Sequence, residues 1–309
     1  MVYNVGNSHR AVARVRFAGL LLGALAALLW ATAGPFFRIA GSYGLDIVVI
    51  NLVRFSLSSL VLLGALFTRQ RHRKEPKWNV MHPLFLLGSA GMVVSSLFLT
   101  LAFLRIPIGT SMVLYHTAPF WVMLGTWCFS RKTPTAFQIV AFVLAMVGVW
   151  KTVGGVRLAA SLDLPGVASA LFASFGYAFY VLNGHFGPGR FDGFGLYSRT
   201  FFVATIMVWI IAAVGGKIDD LLRIPVKAWF VLFYLAFVTA LIPYGLLLAA
   251  LRYISGSAAS ITTMSEVPFS MMWAFIILGE RPETGVLIGG ALVLLGVGIM
   301  TFDKGERTR

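Results

Sequence analysis

Two short stretches set titratable and hydroxyl side chains beside a proline inside otherwise apolar sequence. Tyr115, His116 and Thr117 precede Pro119, and Ser265 and Glu266 precede Pro268. In a helix, proline deletes one backbone hydrogen bond and crowds the carbonyl four residues earlier. Pro119 is expected to free the carbonyl of Tyr115, and Pro268 that of Met264. A bare carbonyl costs several kcal/mol in hydrocarbon, so these two kinks should face protein or a wet cavity. Tyr115 and His116 stand where they can satisfy the first kink or face a solute. A glutamate at the centre of such a helix costs about 2.5 kcal/mol or more when charged. Glu266 therefore reads either as a neutral acid holding a kink, or as a site for proton coupling or a solute amine. His116 carries the same two readings.

The elements that must carry these groups are membrane-spanning. Hydrophobic residues make up 59% of the 309-residue chain and charged residues 12%, against about 25% charged in soluble domains. Apolar runs near 20 residues recur at 16–37, 46–67, 82–104, 108–129, 134–153, 164–184, 193–214, 227–251, 256–279 and 284–302, which predicts ten helices. The first follows a basic start, as a cleaved leader would. It is too long for one, and Gly34-Pro35 is a poor cleavage context, so it reads as a retained span. At 1.5 Å per residue, His116 lies about 12 Å into its span and Glu266 about 15 Å, both near the middle of a core about 30 Å thick.

The net charge of +14 does not point to nucleic acid, because Lys and Arg gather at the ends of apolar runs. With both termini cytoplasmic, fifteen of these residues fall inside and eight outside, as the positive-inside bias requires. The loop RQRHRKEPK at 69–77 carries most of that bias. The expected location is the inner (plasma) membrane, multi-pass. Cys128 is the single cysteine, so no intramolecular disulfide can form. Five dispersed histidines and the lack of HExxH, GxSxG or Walker A patterns point away from a metal site, a hydrolase or an ATP-driven pump. Nothing asks for a cofactor. A membrane enzyme and a solute channel are the rival classes, although no charged ring or filter-like loop is visible.

The chain also repeats. The stretch 101–121 resembles 249–270, 143–150 resembles 293–300, and 45–60 resembles 191–206, at an offset of about 145–150 residues. The last pair matches two intramembrane arginines, Arg54 and Arg199. They suit a structural role, with solute carboxylate binding as the other reading. Five helices per repeat is an odd number, so the second half (155–309) enters the bilayer inverted relative to the first (1–154). Inverted repeats about an in-plane two-fold are a common plan of secondary transporters, with the site between the halves at mid-depth. An aromatic, polar-tipped lining is expected from Trp30, Tyr115, Tyr177, Tyr180, Asn183, Tyr244 and Trp273; Tyr177, Tyr180 and Asn183 follow one another at i, i+3 and i+6. Trp78, Trp150 and Trp229 lie near span ends and read as interfacial. Gly285 and Gly289 form GxxxG, which serves either internal contact or a dimer seam; a monomer or weak dimer is expected.

LWATAGPFF at 29–37, RF at 54–55, ALRY followed by AAS and a proline across 250–268, LGE at 278–280 and the Gly-rich last helix together resemble the EamA-type branch of the drug/metabolite transporter superfamily. Within it the chain is most similar to bacterial aromatic amino acid exporters. The resemblance spans nearly the whole chain. It implies an all-α fold of ten helices as two inverted five-helix repeats, a cavity lined by helices 1, 3, 4, 6, 8 and 9, and export of a small organic solute by alternating access. Two departures stand out. Glu266 lies two residues before its proline rather than directly before it, and the first half has CFSRK at 128–132 where LGE is expected. LGE in the second half reads as a helix stop and restart.

Overall fold

The computed structural model describes residues 5–70, 82–130, 135–152, 163–186, 193–254 and 256–302. Among them the secondary structure is helical, as a chain that must satisfy every backbone group inside hydrocarbon requires. The helices are α1 (Val5–Trp30), α2 (Ala33–Ser42), α3 (Ile47–Gln70), α4 (Pro83–Arg105), α5 (Ile108–Tyr115), α6 (Ala118–Ser130), α7 (Ala136–Thr152), α8 (Leu164–Phe186), α9 (Gly193–Val214), α10 (Val226–Ala236), α11 (Ile242–Ala250), α12 (Gly256–Thr263), α13 (Glu266–Leu278) and α14 (Thr284–Phe302). Prolines mark several starts: Pro83 opens α4, while Pro107 and Pro225 cap α5 and α10. Six helical stretches are long and apolar enough to cross a membrane, and 136–152, 266–278 and 284–299 are shorter apolar helices. Much of the basic loop at 69–77, together with Arg131, Lys132, Arg190 and the basic C-terminus, lies outside the described residues.

Several apolar runs are interrupted rather than continuous. The first runs on to Ser42, beyond the expected end, and breaks between α1 and α2 at Ala31-Thr32. The α5/α6 break falls at His116-Thr117 and the α12/α13 break at Met264-Ser265. Between α10 and α11 the chain widens into one π turn, Phe237–Leu241, just before Pro243. Each interruption precedes a proline by one to three residues, the expected cost of a missing N–H.

The helices gather in two groups. One holds α4, α5, α6 and α8; the other holds α1, α2, α10, α11, α12 and α13. Two pairs close the edges. In one, α3 packs on α9, where the Ser59 and Thr205 hydroxyls meet at 2.6 Å in a buried setting. In the other, α7 packs on α14. There a Cβ on Gly148 would sit 2.7 Å from the Gly289 carbonyl, and one on Gly285 would sit 2.9 Å from the Lys151 carbonyl. The GxxxG face is thus used inside the molecule, because only glycine lets the two backbones approach this closely.

The core is continuous across the groups at one end. Phe37, Ile50, Phe103, Ile108 and Leu232 join α2, α3, α4, α5 and α10, while Val113, Phe120, Val267 and Met271 join α5, α6 and α13. At the end that carries Arg38, α2 lies on α4 and α5 on α13, so the groups touch across the seam. At the opposite end α6 packs on α8, and α12 packs on α1 and α14.

Candidate functional site

The α5/α6 and α12/α13 breaks face each other on the seam. His116 Nε2 lies 3.7 Å from Glu266 Oε2, with side-chain exposures of 16% and 19%. His116 Nδ1 is 3.0 Å from the Met112 carbonyl, an acceptor, so in the neutral ring Nδ1 carries the proton and Nε2 offers its lone pair toward the acid. At 3.7 Å the two are beyond direct hydrogen-bond length. A shared proton or an ammonium N–H set between them would have an acceptor on each side.

The breaks repair their own backbones with hydroxyls. Thr117 donates to the Leu114 carbonyl at 2.7 Å, and Ser265 donates to that of Thr262 at 2.6 Å. Of the two expected roles of Tyr115 and His116, satisfying the first kink or facing a solute, the kink itself is served by His116 and Thr117 at the Met112 and Leu114 carbonyls. The Met264 carbonyl, which Pro268 frees, accepts instead from the Val267 N–H at 3.2 Å. The first helix has the same device, unforeseen from its sequence. Thr32 donates to the Leu29 carbonyl at 2.6 Å, three residues before Pro35. The signal was present, since Thr32-x-x-Pro35 matches Ser265-x-x-Pro268.

Aromatic groups surround the acid–base pair. Tyr115 has its ring centroid 5.6 Å from that of Tyr177 and 5.8 Å from the His116 ring, and Tyr177 lies 5.9 Å from Tyr180. Tyr244 stacks on Tyr197 at 3.6 Å and donates to the Gly193 carbonyl at 2.8 Å. Phe36 and Tyr234 stack at 3.7 Å, and the Tyr234 hydroxyl donates to Thr32. Tyr197, Tyr234 and Phe36 were not among the expected site residues; for the two tyrosines, a single polar atom within an apolar run was the available signal.

The other expected residues divide. Trp273 donates from Nε1 to the Leu28 carbonyl at 3.2 Å, so it repairs the α1/α2 break from across α13. Trp30 ends α1 half-buried beside that break. Asn183 is 3% exposed in the α4/α8 contact, with its Cβ against Gly88 and no hydrogen-bond partner on either amide atom. Its burial separates it from Tyr177, which is 39% exposed.

A second polar cluster closes the Arg38 end. Gly279, at φ +72°, turns the chain out of α13 and presents Glu280. Glu280 pairs with Arg38 and accepts the Ile108 N–H at 3.0 Å. Arg38 also donates to the Phe103 carbonyl at 2.8 and 2.5 Å and to that of Ile106 at 2.6 Å. Arg38 and Glu280 belong to one helix group, and their carbonyl and N–H partners to the other. The LGE turn, read from sequence as punctuation, is thus also a clasp. Outside it, Arg105 holds Asp163 at 3.0 Å, and Lys217 holds Asp46 at 2.9 Å. The Arg105 bond, with a second from the Gly166 N–H, holds the Asp163 carboxyl below its ordinary range. Asp46 raises Lys217.

Interrupted apolar helices packed around a partly buried acid–base pair define a multi-pass helical membrane protein with a polar, aromatic interior. The chain belongs to the EamA-like transporter family, whose model matches residues 17–154 and again 164–302. It is 24% identical over 276 residues to a probable terminal-alkyne amino-acid exporter of Streptantibioticus cattleyicolor, covering 88% of this chain and 90% of that one. It is 27% identical over 264 residues to the threonine/homoserine exporter RhtA of Escherichia coli, covering 81% and 80%. One solved crystal structure superposes with a TM-score of 0.58 at 13% identity, covering 92% of this chain and 96% of that chain.

Proposed function

We propose that the chain is a secondary-active carrier that moves amino acids or related small metabolites out of the cell by alternating access. It crosses the inner membrane ten times as two inverted five-helix repeats, residues 1–154 and 155–309, with both termini cytoplasmic. The observation that carries the reading is the His116–Glu266 pair, set where two interrupted helices meet on the seam between the helix groups. An acid and a base at that depth are expensive unless they do work with a proton or a charged solute. The doubled family match supports the repeat, and the amino acid exporters among the relatives support the solute class. The clasp at the Arg38 end supports a state closed outside and open toward the cytoplasm, because the helix groups meet across the seam at that end. Alternating access then consists of releasing the clasp while the opposite ends of α6 and α12 close.

The test is counterflow in proteoliposomes with radiolabelled threonine and phenylalanine, followed across a pH series in wild type and Glu266→Gln. Saturable counterflow that loses its pH dependence in the variant is the expected result. Flux that never saturates would mean a channel, and chemical conversion of the solute would mean an enzyme. An unchanged rate and pH profile in Glu266→Gln would remove the coupling role.

A further inference from the structure

Glu266 accounts for one charge of an amino acid, and the structure contains an unclaimed opposite charge in the same interior. Arg54 lies seven residues into α3, about 10 Å from its start. Its Nη1 donates to Ser96 of α4 at 2.8 Å. Ser96 in turn donates to Asn51 at 2.6 Å, and Asn51 donates to Thr100 at 3.0 Å, so the hydroxyl beneath the guanidinium is locked in place. The guanidinium lies 5.4 Å from the Phe37 ring of α2 and 5.9 Å from that of Phe55. Its Nε is buried with no hydrogen-bond partner. Among the described residues no carboxylate forms an ion pair with it. Arg199, its counterpart in the repeat, donates along its own helix to the Gly195 carbonyl at 3.2 Å.

A guanidinium keeps its charge in proteins and presents its N–H groups as a fork suited to a carboxylate. Held on a hydroxyl and beside two phenyl rings, with its Nε buried and unpartnered, it keeps N–H groups of the kind a carboxylate accepts from. Tyr115 joins the two halves of the picture: it packs against the core that holds Phe37, and its ring lies 5.8 Å from that of His116, which faces Glu266. Tyr177, with its ring centroid 5.6 Å from that of Tyr115, adds further apolar surface.

We infer that Arg54 is the carboxylate-binding residue of the solute site, set opposite Glu266, so that the site selects a zwitterion with a free α-carboxylate and a free amine. This rests on the carrier reading above, and sharpens it to which functional groups of the solute are required. Ser96 and Asn51 are positioning residues that aim the fork. The tyrosines between the two charges receive the carbon skeleton.

The experiment is competition against threonine and phenylalanine counterflow. The competitors are threoninamide and phenylalaninamide, which lack the carboxylate, and 3-phenyllactate, which lacks the amine. In wild type each truncated analogue should compete at least tenfold more weakly than its parent. In Arg54→Gln the acid-over-amide preference should collapse, while the preference for phenylalanine over phenyllactate persists. In Glu266→Gln the two effects should exchange. Equal competition by acid and amide in wild type overturns the inference without any variant, and so does an Arg54→Gln protein that transports and keeps its preference. Arg54→Lys, which keeps the charge, covers the case in which Arg54→Gln does not fold: it should bind more weakly but still prefer the acid, and a lost preference with transport intact counts against the inference. If no amino acid supports counterflow in wild type, the carrier reading itself has failed.

Discussion

Replacing Arg38 with methionine should unlatch the seam. The clasp crosses between helix groups through three N–H bonds from Arg38 to the Phe103 and Ile106 carbonyls and one from Ile108 to Glu280. A hydrogen bond to a charged group is worth about 1.5–3 kcal/mol net. Here the Arg38 and Glu280 side chains keep 28% and 21% exposure, and solvent screening cuts that to about 1 kcal/mol for each carbonyl served. Arg38→Met thus removes about 2 kcal/mol from the closed state, or about 30-fold in its ratio to the open state. The assay uses one cysteine at Met271, which is 8% exposed and packs on Gly109 across the seam, with Cys128 changed to serine. Labelling by a membrane-impermeant maleimide from the Arg38 side should be slow in the wild-type background and about 30-fold faster with Arg38→Met, since only the open population reacts. A change below about threefold in a protein whose melting temperature has not moved would refute the reasoning, because the clasp would then not bias opening.

Gly289→Val should lower the melting temperature in detergent by the equivalent of about 1–3 kcal/mol, since its Cβ meets Thr152 and the Gly148 backbone. It should leave solute preference intact, as α7 and α14 lie at the edge. Trp273→Phe keeps the ring but loses the indole bond to the Leu28 carbonyl, costing about 1 kcal/mol in thermal stability; no change would mean that water replaces the bond. The Arg105–Asp163 pair has a definite pH window. The folded carboxyl titrates below its ordinary value, so the pair stabilises the fold above about pH 4, and that contribution fades as pH falls below it. The difference in melting temperature between wild type and Asp163→Asn should accordingly be flat near neutrality and shrink in acid; a difference that grows in acid would reverse the assignment.

Much of the architecture was legible because it is local. Apolar runs and their prolines place the helices and their interruptions, since in hydrocarbon a missing backbone bond has no water to fall back on. The likeness of YHTAPF to TMSEVPF singled out His116 and Glu266 as polar groups beside kinks, and the structure sets their side chains 3.7 Å apart. Asn183 shows the limit. Spacing put it on one face with Tyr177 and Tyr180, but α4 covers that part of the face at Gly88, and no helical period reports where a neighbour approaches.

The sequence by itself determined the membrane class and the family resemblance, and it singled out His116 and Glu266 as polar groups within apolar runs. Only the tertiary structure decided what the remaining polar groups touch. Arg38 and Glu280 are 242 positions apart and read as span-end punctuation until folding brings them together. Trp273 reads as lining until its indole is found on the Leu28 carbonyl. Arg54 and Arg199 fall in matching stretches of sequence, yet Arg199 bonds a carbonyl of its own helix and Arg54 bonds Ser96 on α4 and lies against Phe37. The physical reason is common to all three. A polar group in a membrane interior takes whichever partner the packed helices bring within about 3 Å, and that partner is set by contacts between distant parts of the chain.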